Sequence, residues 1–153
     1  MPNALHSVQA LQTAGDISIA LVGGFAHLKL PIGFALADAA VLYTIPAGLK
    51  ISLNDWWWEI TTSFTGGASS AIGISSTNTD YSTKGDLLGG AAGDVAATLV
   101  STGRVHKGGT IGAKFASNGK CVLVGGDAIR FDRITSAFTA GAGYVHVNGR
   151  YID

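Results

Sequence analysis

The chain has one cysteine, Cys121, and that scarcity removes two large classes of small protein. There is no second thiol for a disulfide framework and no CxxC knuckle for a zinc site, so the fold must rest on its own core. At 153 residues it is long enough, since a chain of this size buries roughly two thirds of the surface it exposes when unfolded. A buried structural thiol is the expected state of Cys121. Charge is equally scarce: ten basic residues balance ten acidic ones, which excludes recognition of nucleic acid or of an anionic membrane by bulk electrostatics. The most apolar run, residues 17–45, is broken by Gly23, Gly24, His27, Lys29, Pro31 and Asp38, too often for a membrane span. The opening residues MPNALHSVQALQ lack the basic and apolar regions of a signal peptide, so the expected setting is a soluble protein made in a reducing cytoplasm.

Catalytic and cofactor motifs are missing as well. The histidines His6, His27, His106 and His146 are widely separated, with no HExxH and no His-x-His pair, and read as ordinary surface or packing residues. Gly119-Lys120 is followed by Cys121 rather than Ser or Thr, and Lys114 stands where a phosphate loop needs glycine. There is no GxSxG elbow. The oxygens of Asn78, Asp80, Asp86 and Asp94 match no calcium-loop spacing and read as solvated loop residues. No catalytic residue, metal ligand or cofactor-binding residue is assigned, and the expectation is a protein that is not an enzyme.

What is present is glycine, 22 residues of it, and short β-type runs between turn signals. Residues 1–16 read as an N-terminal arm, with one helical turn near residues 7–11, ahead of a single β-domain over 17–153. Residues 17–22 and 25–30 alternate like a hairpin around Gly23-Gly24. Residues 39–45 are strand-like, and Pro46-Ala47-Gly48 is a turn, proline fixing φ and glycine supplying the permissive position. Residues 71–75 form a strand, residues 76–93 a long polar loop, and residues 94–102 a short helix capped by Asp94. Residues 110–117 and 120–124 flank Asn118-Gly119, a type I′ hairpin signal. Residues 128–138 and a last strand carrying Val145 and Val147 on one face, Tyr144, His146, Asn148 and Arg150 on the other, complete the pattern. The expected fold is all-β, a jelly-roll-like antiparallel β-sandwich with at most one or two short helices.

The chain is organised around residues 49–67, LKISLNDWWWEITTSFTGG. Leu49, Ile51 and Leu53 share one strand face, but from Trp56 the apolar positions are even-numbered: Trp56, Trp58, Ile60 and Phe64. A period-two pattern that slips by one residue predicts a β-bulge at Asn54-Asp55, the alternative being a tight turn there. A second slip, from Ile129 and Phe131 to Ile134 and Phe138, predicts another bulge near Asp132-Arg133. The segment ITTSFTGG, residues 60–67, is echoed by ITSAFTAG, residues 134–141.

Strand alternation leaves one indole over. With Trp56 and Trp58 in the core, Trp57 faces outward beside Glu59, where a large aromatic is typical of a binding hot spot. It is covered by its own chain, by another subunit, or by a sugar. The low charge and near-zero net charge favour self-association. Candidate interface residues are Trp57 and Glu59 with Tyr81, Lys84, Leu87 and Leu88 of the long loop.

The runs VLYTIPAGLKISL, EITTSFTGGASSAIGIS and AIRFDRITSAFTAGAGYVHVNGRYI resemble small structural proteins of tailed bacteriophages, nearest to the capsid decoration or cement type. The resemblance spans residues 41–153 and carries no interface residue over. It implies a compact jelly-roll-like β-domain, a homo-oligomer with a trimer favoured, located in the virion and bound to the major capsid protein or another virion component. The alternative is a tail-fibre-type module that binds a host receptor or glycan.

Overall fold

The structure, a computed structural model, describes residues 10–14, 17–22, 24–66, 70–89, 104–107 and 113–152. It is all-β, two antiparallel sheets packed face to face. The large sheet holds β1 (Ala10–Ala14), β2 (Ile17–Val22), β3 (Phe25–Gly33), β5 (Lys50–Thr65), β8 (Arg104–Lys107), β9 (Cys121–Val124) and β11 (Ala140–Tyr151). Its order is β1-β2-β3-β11-β5-β8, with β9 paired to the first residues of β5 and β8 to later ones. The small sheet runs β4 (Ala40–Thr44), β10 (Ala128–Ile134), β6 (Ala71–Ser76), β7 (Leu88–Gly89). The expected hairpin of residues 17–30 is the β2–β3 pair. Residues 10–14 of the expected arm are a strand on the edge of the large sheet, so the sheet begins earlier than residue 17. Residues 1–9 lie outside the described residues, as does the helix expected at 94–102.

Alternation explains which side chains fill the space between the sheets. Along β3, Ala26, Leu28, Leu30 and Ile32 are buried while Phe25, His27, Lys29 and Pro31 turn away. On β11, Val145 and Val147 are fully buried, and across the gap Ile72, Ile74, Ile129 and Phe131 close on them in one continuous cluster. Each such side chain contributes roughly 1.5–3 kcal/mol when removed from water. Cys121 is part of this core, and burial, followed by the charge of Asp127, pushes its thiol up to about 12. It is an unreactive structural thiol.

The slip in β5 is a bulge at the expected place. Asp55 pairs with Asn148 and Leu53 with Gly149, which leaves Asn54 as the extra residue. The change of phase therefore buries Ile51 and Leu53 on one side of the bulge and Trp56, Trp58 and Ile60 on the other. The echoing segments meet as well: Phe64 and Phe138 stack edge to face with centroids 5.3 Å apart, and Thr139 N donates to Thr65 O at 2.9 Å.

Three expectations are corrected. No bulge occurs at Asp132-Arg133: β10 runs in unbroken register along β6 from Ile129 to Ile134, and the irregularity lies in β4, where Leu42 is skipped. The apparent slip arose because Asp132 is buried while Ile134 is only partly so. Asn118-Gly119 does not turn a hairpin. It ends a six-residue helix, α1 (Ala113–Asn118), where Gly119 at φ +68 donates its N–H to Phe115 O at 2.8 Å. A type I′ turn and a helix C-terminus both demand positive φ, and the burial of Phe115 decides between them. Finally, residues 77–89 are folded onto the small sheet: Asn78 caps a 3-10 turn at Thr79–Tyr81, and β7 pairs with β6. Tyr81, Leu87 and Leu88 are thereby core residues, 6%, 0% and 1% exposed, and present no surface to a partner.

Candidate functional site

Three adjacent strands, β3, β11 and β5, put their second set of side chains on the outer face of the large sheet. Register sets the neighbours: His146 lies across from Lys29 on one side and Trp57 on the other, Tyr144 across from Glu59, Asn148 across from His27. The outcome is a chain of hydrogen bonds. Nε2 of His146 meets Oε2 of Glu59 at 2.5 Å, and Nδ1 of His146 meets Nε2 of His27 at 2.8 Å. Lys29 Nζ reaches the same Glu59 oxygen at 3.3 Å and lies 4.1 Å from the centre of the Tyr144 ring. Trp57 stacks flat on His146, 5.0 Å between centroids and 6° between planes, and meets His27 edge-on at 5.4 Å.

The wiring allows two arrangements of protons. Glu59 as a carboxylate accepts the Nε2 proton of His146, so Nδ1 of a neutral His146 accepts from His27 Nε2–H. If His146 is an imidazolium, the middle bond reverses and His27 accepts. Two imidazolium rings would place donor against donor and break the bond. His27 resists that second proton: burial first, then the charges of His146 and Lys29, lower its pKa. Burial pulls the Glu59 carboxyl upward, but the hydrogen bonds and charges of His146 and Lys29 outweigh it and hold Glu59 below its ordinary value. The chain is thus a continuous polar strip along the outer face. Its ends, Glu59 and His27, occupy opposite edges of the His146 ring and do not converge. Among the described residues no group of three or more His, Cys, Asp or Glu side chains is placed to hold a metal ion.

A second polar cluster, on the small sheet, is wired differently. Asp132, 1% exposed, accepts from Ser75 Oγ at 2.8 Å and from the Gly85 N–H at 3.0 Å. Burial raises its carboxyl, and the bonds from Gly85 and Ser75 offset part of that rise. Arg130 donates to Ser82 O at 3.0 Å. Lys84 donates to Asp38 at 2.6 Å and to Arg133 O at 2.9 Å, and its hydrogen bond holds the Asp38 carboxyl below the usual range. These bonds fasten residues 82–85 to the sheet through backbone groups. Asn78 and Asp86 likewise bond the turns they sit in, at Asp80 N and Thr83 N.

Of the six residues singled out from sequence, the structure brings Trp57 and Glu59 together on the outer face, leaves Lys84 tied to Asp38 elsewhere, and buries the other three. What sequence reasoning missed is the pairing of His27 with His146, 119 residues apart. The signal was there in part. Alternation already put His146 on the polar side of its strand and Glu59 beside Trp57, but which strands are neighbours is not written in any one of them. His106 stands in β8 opposite Trp58 in the ladder, and His6 lies outside the described residues.

Fold and site together define a β-sandwich with a polar-aromatic face over three strands. Comparison of the chain with family models, with curated proteins and with solved structures finds no match.

Proposed function

We propose that this protein is a non-enzymatic viral structural protein of the capsid decoration type, which sets the outer face of the large sheet against the assembled head. The observation that carries the reading is Trp57: a half-buried indole on the β5 side of a three-strand face, bordered by partly buried charge, has the make-up of an interface hot spot. The winding adds support. The large sheet contains the run β3-β11-β5-β9 and the small sheet is β4-β10-β6-β7, with the chain crossing between sheets at β3–β4, β4–β5, β5–β6, β7–β8, β9–β10 and β10–β11. We read this as a jelly roll, the architecture that the resemblance to decoration proteins implies. The exposed Phe34, Val41 and Val124 supply apolar surface for a symmetric oligomer, a trimer being favoured. Assembled in the host cytoplasm, it would join the virion by buried area alone, a stable contact covering roughly 1,200–2,000 Å².

Native mass measurement followed by co-sedimentation with undecorated capsids tests the reading. An oligomer that pellets with capsids, and a Trp57→Ala variant that stays in the supernatant, are expected. A monomer that ignores capsids overturns it. The second reading, a tail-fibre-type module for a host receptor or glycan, is favoured by a hollow of mixed polar and apolar lining that includes the exposed Phe25.

A further inference from the structure

At one end of the outer face the sheet surface sinks into an open hollow of about 610 Å³, lined by Phe25, Ala26 and His27 of β3, Asn54 and Asp55 of β5, and Asn148 and Gly149 of β11. We propose that this hollow binds one pyranose unit of a hydroxyl-rich glycan. The proposal goes beyond the capsid reading and does not depend on it; it supplies the receptor reading with a site.

The bulge makes the hollow. In a regular strand, Asn54 and Asp55 would point to opposite faces, whereas the extra residue at Asn54 lets both line the same cavity. Gly149 belongs to the same device: a Cβ there would lie 2.7 Å from Ser52 O and 2.8 Å from Leu53 Cδ2, so only glycine lets β11 approach β5 at the bulge.

The lining has the two things a sugar ring needs. Phe25 is 61% exposed, a large ring offered to solvent, with the Arg150 guanidinium 5.4 Å from its centre to hold it in place. Such a ring takes the C–H face of a pyranose by apolar contact. Around it, Asn54 and Asn148 each offer two donors and an acceptor, which suits pairs of adjacent hydroxyls. The bond from His27 Nε2 to His146 leaves Nδ1 as the imidazole nitrogen available to a ligand. The volume is within the usual range of small-ligand sites, roughly 300–1,000 Å³.

The test is a titration of the isotope-labelled protein with methyl glycosides of glucose, galactose, mannose, rhamnose and N-acetylglucosamine, followed by backbone amide shifts. At least one glycoside is expected to give a saturable change confined to residues 25–27, 54–55 and 148–149. Phe25→Ala and Asn148→Ala are each expected to weaken it about tenfold or more, a loss of 1.4 kcal/mol per decade. Ser117→Ala, an exposed position on α1, should leave it unchanged. Amides in these segments that stay still with every glycoside, or pocket variants that bind like the parent, overturn the proposal. A protein that ignores capsids yet passes this titration keeps the site and loses the capsid reading.

Discussion

The inner and outer faces of the large sheet are cut from the same three strands, and they are built to opposite rules. Inside, Leu28, Leu30, Trp56, Trp58, Val145 and Val147 are at most 5% exposed and belong to the apolar cluster that fills the sandwich. Outside, one residue along each strand, His27, Lys29, Trp57, Glu59, Tyr144 and His146 bond to one another rather than to the backbone. The contrast with Asp132 is instructive. Its cluster ends on main-chain groups of residues 82–85, so it secures the fold, whereas a network made only of side chains can be rearranged by a partner without unpairing the sheet. Stability and, on the function proposed above, recognition thus occupy alternate residues of the same sequence.

The adjacent indoles offer the sharpest way to break that division. Trp58→Ala removes a fully buried ring and is expected to cost about 3–5 kcal/mol in urea unfolding, with capsid binding lost only through unfolding. Next in size, Asp132→Ala leaves the Gly85 N–H without its acceptor in the interior, an expected loss of about 2 kcal/mol accompanied by faster hydrogen exchange at Gly85. Trp57→Ala should cost no more than about 1 kcal/mol, mostly its stacking on His146, while abolishing co-sedimentation with capsids. Equal destabilisation by Trp57→Ala and Trp58→Ala, with binding intact, would dissolve the distinction between the faces.

The smallest expected effect is on pH dependence. The fold lowers the pKa of His27 from its ordinary 6.5, so below that pH the unfolded chain takes up a proton that the folded one refuses, and stability is lost as pH falls through the folded value. Glu59, held below its ordinary 4.5, acts in the same direction at lower pH: its contribution is present above 4.5 and lost as pH falls through the folded value. Unfolding curves of the parent, His27→Gln and Glu59→Gln should therefore diverge in those two windows, the first variant flattening the upper one and the second the lower. Asp132, raised by burial, works in the opposite sense but is common to all three proteins and cancels in the difference. Superimposable profiles would show that the outer network is not felt by folding.

Much of this division is legible in the residues themselves. Alternation within a single strand separates Trp57 from Trp56 and Trp58, and the one-residue slip around Asn54 sets which of them face the core. The glycine after Asn118 announces a positive φ but not whether a hairpin or a helix end requires it. The run from Tyr81 to Leu88 looks like a polar loop with two stray leucines until the small sheet is present to receive them.

The chain by itself determined what its local chemistry can express: β-strands, the bulge in β5, the outward Trp57 and the absence of a disulfide scaffold. The tertiary structure alone decided which strands stand side by side. Placing β11 between β3 and β5 is what brings His27 to His146 and His146 to Glu59, and opens the hollow beside Phe25. Strand order is set by the closing of a core shared by residues far apart in the chain. No alternation within one strand carries that information.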